Sequence, residues 1–189
     1  EKIAEKLCQK RAELVMGRVL PYIKNAKKIL DIGTGTGHVA SLLKKKGKNI
    51  VTIDVRDKSL VNDIKPVIYD GKHLPFKDKS FDTALLLMVL HHTPNPKIVF
   101  LEASRVSEDL VVIETVYRKI LDKIITVFFD SINNLQFNFY WNSYHTDEDW
   151  KIFFKSHGYR IKDTEYYTDW QLLIPYFHNI YYLKKSSSS

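Results

Sequence analysis

Ile29-Leu30-Asp31-Ile32-Gly33-Thr34-Gly35-Thr36-Gly37-His38-Val39-Ala40 is the stretch on which the fold of this chain turns. The mostly apolar run into Asp31 has the composition of a buried strand, and Gly33, Gly35 and Gly37 then make a loop that opens into an amphipathic helix. Glycine at alternate positions lets the backbone take left-handed angles and come close to a bound molecule, and the helix start adds N–H groups without partners inside the helix. A small-molecule ligand is expected there.

The spacing narrows the choice of ligand. A dinucleotide fingerprint, Gly-x-Gly-x-x-Gly, needs glycine where this chain has His38, so a nicotinamide oxidoreductase is the least favoured reading. Asp31-Ile-Gly-Thr-Gly-Thr-Gly37 instead resembles the first motif of class I S-adenosylmethionine-dependent methyltransferases. That resemblance implies that Asp31 and the loop residues Gly33, Thr34, Gly35 and Gly37 hold the methionine part of S-adenosyl-L-methionine.

Beyond the loop, Val39, Leu42 and Leu43 mark one face of a helix that Gly47 stops, and Asn49 to Asp54 follow as a second buried strand. Asp54 ends that strand about 20 residues after the first glycine, where a strand-tip carboxylate can accept both hydroxyl protons of a ribose. Asp57 to Asn62 leave room for a short helix before a third strand at Pro66 to Tyr69. The segment from Tyr69 to Phe76 resembles the family stretch in which an acidic residue, here Asp70, holds the adenine amino group while the next amide, that of Gly71, meets a ring nitrogen. The resemblance also implies Val55 and Leu87 in the cofactor set.

Thr83 to Val89 is an almost unbroken apolar run, as expected of a central parallel strand covered on both faces. His91-His92-Thr93-Pro94-Asn95-Pro96 follows at the carboxyl edge of the sheet, where open α/β folds place their ligands. Asn95 is a candidate cap and Pro96 a candidate first residue for the next helix, with Ile98, Leu101 and Arg105 on one face. Phe81-Asp82, the apolar strand and Leu90-His91-His92 together resemble the fourth motif of the ubiquinone-biosynthesis-like (methyltransferase type 11) small-molecule group. The Asn/Asp-Pro-Pro-aromatic sequence of amino-methylating nucleic-acid enzymes is absent. Imidazole, with an unperturbed pKa of about 6.5, suits His91 or His92 to take a proton from an acceptor; the alternative is that both bond loop carbonyls.

Leu110 to Glu114 read as the fifth strand, after which the alternation of strand and helix stops. Tyr117, Ile120, Leu121, Ile124, Ile125, Phe128 and Ile132 share a broad apolar face on a helix, and Phe137, Phe139, Tyr140, Trp141 and Tyr144 crowd the segment after it. This 116–145 insertion, with an N-terminal helix in residues 1–24 carrying Ile3, Leu7, Leu14 and Val15, is expected to roof an acceptor pocket that includes Tyr117, Trp141 and Tyr144. Thr146 and the acidic turn Asp147-Glu148-Asp149 open a last helix whose buried side is Trp150, Phe153 and Phe154 and whose stop is Gly158. Tyr159 to Thr168 and Asn179 to Leu183 complete the chain as a hairpin, with Pro175 in the connection.

Composition sets the outer bounds. The 189 residues suit a single domain over 1–185, with 44% hydrophobic and 27% charged residues, and Ser186 to Ser189 form a low-complexity tail. Without a span of roughly 18 apolar residues or a signal-peptide core, a cytoplasmic site is expected. The lone Cys8 has no disulfide partner and no metal-ligand neighbours, so no metal is expected. The net charge of +7 invites a nucleic acid or an anionic membrane, but the lysines are scattered or, as at Lys44 to Lys46, gathered at a helix end. The resemblance therefore implies a Rossmann-like α/β fold, a seven-stranded doubly wound sheet of order 3-2-1-4-5-7-6 with the last strand antiparallel. The activity it implies is S-adenosylmethionine-dependent O- or C-methylation of a small apolar or aromatic acceptor. An RNA or protein methyltransferase, or a non-catalytic cofactor-binding partner protein, are the alternatives.

Overall fold

The computed structural model describes residues 2–134, 141–171 and 174–186. Its strands are β1 (Lys28–Ile32), β2 (Asn49–Asp54), β3 (Val67–Ile68), β4 (Phe81–Leu87), β5 (Ser107–Thr115), β6 (Tyr159–Gln171) and β7 (Ile174–Lys185). They form one sheet of order β3-β2-β1-β4-β5-β7-β6, the order expected. The helices are α1 (Lys2–Val19), α2 (His38–Lys45), α3 (Pro96–Val106), α4 (Ile120–Asn134) and α5 (Asp147–Ser156). Among the described residues, no helix is long and apolar enough to cross a membrane. The chain forms two compact units, Glu1–Leu87 with Glu102–Val111, and Met88–Leu101 with Val112–Ser189.

In the first unit β1 lies between β2 and β4, parallel to both, with Asp31 in register with Thr52 on one side and Leu85 on the other. Ile29, Leu30 and Ile32 are fully buried, and each such side chain contributes roughly 1.5–3 kcal/mol by leaving water. Parallel pairing brings the carboxyl ends of β1, β2 and β4 to one edge, so the glycine loop, Asp54 and Leu87 are grouped there. Asp82 fixes the opposite end, where Oδ2 accepts the N–H groups of Lys27 and Lys28 at 2.6 and 2.8 Å.

Two local expectations are corrected in this unit. The inward stripe of α1 is Ala12, Val15 and Val19, while Leu7 and Leu14 are exposed; two leucines one heptad apart mark a second stripe, and packing selects the other. The side chain of Ile3 lies outside the described residues. No helix forms over 57–62. The Asp57 carboxylate instead accepts the N–H of Ser59 at 2.9 Å, a turn bond that competes with helix formation.

In the second unit α5 begins as read: Thr146 accepts the N–H of Asp149, and the Asp149 carboxylate accepts the N–H of Thr146, closing a capping box. Trp150 and Phe154 are fully buried, and Phe154 packs edge-on against Tyr181 with centroids 5.0 Å apart. Phe100 of α3 meets Phe153, Phe154 and Tyr159. The buried residues of α3 include Val99 and Phe100, while Leu101, on the face shared with Ile98 and Arg105, is exposed. Pro175 lies inside β7 opposite Trp170 and not in the connection. It is tolerated near the hairpin tip, past the point where the N–H of Val116 reaches the carbonyl of Phe177.

The larger correction concerns α4. Among its described side chains Lys123, Thr126 and Val127 are buried, whereas Ile120, Leu121, Ile124, Ile125 and Phe128 are exposed. The expected apolar face exists but points outward. Phe137, Phe139 and Tyr140 lie outside the described residues.

Candidate functional site

Gly33, Gly35 and Gly37 all take left-handed angles, with φ of 72°, 54° and 78°. The loop is tied to the end of β2 at two points. The N–H of Gly33 donates to the carbonyl of Ile53 at 2.8 Å, and the N–H of Gly35 donates to Asp54 Oδ2 at 2.9 Å. The second Asp54 oxygen accepts the N–H of Val55 at 2.7 Å and, at 3.5 Å, that of Arg56, so the oxygen bound to Gly35 retains the clearer acceptor capacity. Within the loop, the Thr34 hydroxyl donates a hydrogen bond to the Asp31 carboxylate.

The glycines differ in what surrounds them. A Cβ on Gly35 would meet nothing within 4 Å, whereas one on Gly37 would lie 2.9 Å from Val61 Cγ2 and 3.2 Å from Ile64. Gly37 is thus a close-packing position and Gly35 faces open space. Gly37→Ala combines a left-handed alanine with overpacking and should cost about 2–4 kcal/mol in urea unfolding, while Gly35→Ala should cost only about 1–2 kcal/mol. Equal costs would mean that the space around the two positions does not matter.

Burial pushes the Asp31 carboxyl from 3.8 up to about 6; the Thr34 hydrogen bond opposes this and the charge of Asp54 adds to it. The loop therefore lies beside a buried carboxylate that gains from a nearby cation. Asp70 behaves oppositely. Its exposed carboxylate is held down to about 2 because the N–H groups of His73 and Lys72 donate to it, both at 2.7 Å. Gly71, at φ 76°, lies so close that a Cβ would come 3.2 Å from Val55 Cγ1. Val55 and the Asp70–Gly71 turn, well apart in sequence, are therefore neighbours.

The loop after that turn hangs from α3. Arg105 donates through Nη1 to the Phe76 carbonyl and Asp78, and through Nη2 to the Leu74 carbonyl and Glu102, at 2.8–2.9 Å. Glu102 accepts the N–H of Leu74 at 2.8 Å, and its carboxyl is held below the usual range chiefly by the Arg105 hydrogen bonds. The sequence places Arg105 on a face with Ile98 and Leu101; its role as a clamp has no local signal there.

The histidine pair belongs to the second unit. His91 is 2% exposed, and its Nδ1 is hydrogen-bonded to Glu114, which is 0% exposed. The other Glu114 oxygen accepts the N–H of Val89 at 3.2 Å and of Leu90 at 2.7 Å. The His91 ring lies 4.1 Å from the ring of His92 and 5.0 Å from that of Tyr144. His92 is only half-buried. Just before the pair, Met88 takes φ 60°, an uncommon angle for a side chain of its size. Glu114 was read only as the end of a strand; a single carboxylate closing the run Leu110 to Ile113 was the available signal.

Tyr117, Trp141 and Tyr144 do come together, but around a residue not singled out from sequence. The Lys123 ammonium lies 4.8 Å from the Tyr117 ring centroid and 4.7 Å from that of Trp141, and donates to the Tyr144 carbonyl at 3.0 Å. Burial lowers the Lys123 pKa, against the pull of Asp149. Among the described residues, no group of three or more His, Cys, Asp or Glu could hold a metal ion.

Residues 30–109 match the type 11 family described as a methyltransferase domain. The demethylmenaquinone methyltransferase of Thermotoga maritima is 34% identical over 90 residues, which are 43% of this chain and 39% of that protein. The matched part spans about two fifths of the length of the curated relatives. A putative methyltransferase from Bacillus halodurans has a TM-score of 0.69 at 14% identity, covering 91% of this chain and 99% of that one. A SAM-dependent methyltransferase from Methanosarcina mazei has a TM-score of 0.70 at 16% identity, covering 90% and 97%. By its sheet order and its likeness to these solved structures, the chain has the Rossmann-like fold of class I S-adenosylmethionine-dependent methyltransferases, and residues 30–109 within that fold carry the match to the methyltransferase domain.

Proposed function

We propose that the chain binds S-adenosylmethionine at the glycine loop and directs its methyl group to an oxygen or carbon of a small apolar or aromatic acceptor. The observation that carries this reading is the pair of buried carboxylates, Asp31 and Asp54, beside three left-handed glycines with open space at Gly35. S-adenosylmethionine supplies a methyl group on a sulfonium: the carbon–sulfur bond breaks, its electron pair stays on sulfur, and the new bond forms to the acceptor, which loses a proton. Asp31 would offer its charge to the methionine ammonium, with Gly33, Thr34 and Gly37 shaping the loop around it. Asp54 would accept the ribose hydroxyls, chiefly on the oxygen that Gly35 also contacts, and a long Arg56 contact would yield at the other. Asp70 has one oxygen bound to two N–H groups and the other 3.3 Å from His73 Nδ1; adenine would share that second oxygen with His73 and meet the Gly71 amide, with Val55 against that turn. Leu87 ends the central strand on the same edge. The acceptor's proton would pass to one of His91 and His92, of which His92 is the more accessible. Tyr117, Trp141 and Tyr144 would contribute apolar surface for the acceptor.

Calorimetric titration with S-adenosylmethionine and, separately, NADH tests the cofactor: heat of binding is expected for the first and none for the second. Asp54→Ala should weaken S-adenosylmethionine binding by about 1.5–3 kcal/mol while the far-ultraviolet dichroism stays unchanged. A folded variant with undiminished affinity removes the ribose assignment. The acceptor is sought as the metabolite that gains one methylene in mass when extract, protein and S-adenosylmethionine are incubated together.

A further inference from the structure

The orientation of α4 is the inverse of an ordinary surface helix. Ile120, Leu121, Ile124 and Ile125 are 63, 61, 49 and 36% exposed, while Lys123 and Thr126 between them are buried. Their spacing places the four aliphatic side chains on one stripe. The orientation is fixed from inside, because Lys123 is held by the Tyr144 carbonyl and the rings of Tyr117 and Trp141. Such a face, in water, gains from a cover that hydrocarbon can supply.

We propose that α4 seats this face in the interface of an anionic lipid bilayer. The surroundings supply the two other features such a contact needs, which are cations and amphipathic aromatics. Arg118 and Lys119 directly precede the helix and are exposed, against the single Asp122 in its first turn, so the start of α4 presents a net positive charge to an anionic surface. Arg118 stacks 3.8 Å from the Phe177 centroid and 6.0 Å from that of Tyr166, tying the start of α4 to the β6–β7 hairpin. On that hairpin Tyr166 and Trp170 are exposed, as is Trp141 after α4; tyrosine and tryptophan suit the headgroup level. The four outward aliphatic side chains carry no hydrogen-bonding group, which favours hydrocarbon over a polar protein partner or a nucleic acid. This inference does not depend on the proposed methyl transfer.

The test is co-sedimentation of the whole chain with vesicles of phosphatidylcholine mixed with phosphatidylglycerol, and with vesicles of phosphatidylcholine alone. Binding is expected to be about tenfold tighter or more on the anionic vesicles and to weaken as salt is raised. The double variant Leu121→Glu, Ile124→Glu should lose about tenfold or more of that binding, and its melting curve checks that it is folded. If it is not, the single variants Ile120→Ser and Leu121→Ser, each at an exposed position, are used instead. Absence of binding at low salt, or variants that bind as well as the original, overturns the proposal. So does a dimer in analytical ultracentrifugation that the double variant breaks, since a second copy would then be what covers the face.

Discussion

Asp31→Asn is expected to make the ligand-free protein more stable at pH 8 and, at the same time, poor at holding S-adenosylmethionine. The folded-state pKa of Asp31 is raised to about 6, chiefly by burial, from 3.8. Its contribution is therefore fully present below pH 3.8, declines as pH rises through about 6, and is absent above that. The complete penalty corresponds to on the order of 3 kcal/mol. Asparagine cannot ionise, yet keeps an oxygen to accept the Thr34 hydroxyl. Scanning calorimetry should find the two proteins close together near pH 4. At pH 8 the variant should melt roughly 4–8 °C higher, for a gain of about 2 kcal/mol. An identical offset at both pH values would mean that ionisation of Asp31 is not its source. With the original residue, a cationic ligand favours the ionised carboxylate, so S-adenosylmethionine affinity should rise with pH up to about 6 and then level off.

Glu114→Ala is expected to destabilise the protein by about 3–5 kcal/mol, because it strips a fully buried carboxylate from two backbone N–H groups and from His91 at once. Glu114→Gln should cost less, since its amide oxygen can still accept from Val89 and Leu90, but its N–H₂ then confronts His91 Nδ1 and requires that nitrogen to be the acceptor. Denaturant titration of the two variants separates these effects. If alanine costs less than about 1 kcal/mol, the carboxylate is not what holds the turn after β4.

What was legible from sequence was what local signals encode. The run into Asp31, the alternating glycines and the continuous apolar strands carry their own structure, and strands with parallel pairing deliver Asp54 and Leu87 to the edge of the glycine loop without any further information. The Thr146 cap was legible for the same reason. What was hidden depends on partners remote in the chain. A helix pattern such as that of α4 states that two faces exist, but the inward one is chosen by whether Lys123 finds acceptors, and Tyr144 lies far along the chain. Glu114 likewise looks like an ordinary strand end until His91, on the other side of α3, is placed beside it. The choice of Val15 and Val19 over Leu7 and Leu14 in α1 is again made by the surface it packs on.

The Arg105 clamp bears on how the adenine side of the site recognises its ligand. Four side-chain hydrogen bonds of Arg105 and Glu102 already hold the segment from Leu74 to Asp78, and the Asp70 carboxylate holds the turn before it. A segment tethered to this degree has given up its conformational freedom during folding, so little more is lost when a ligand arrives. This edge works as a rigid template that a base either fits or does not, in contrast to a flap that forms around whatever enters, and discrimination there is set by a shape that exists before encounter.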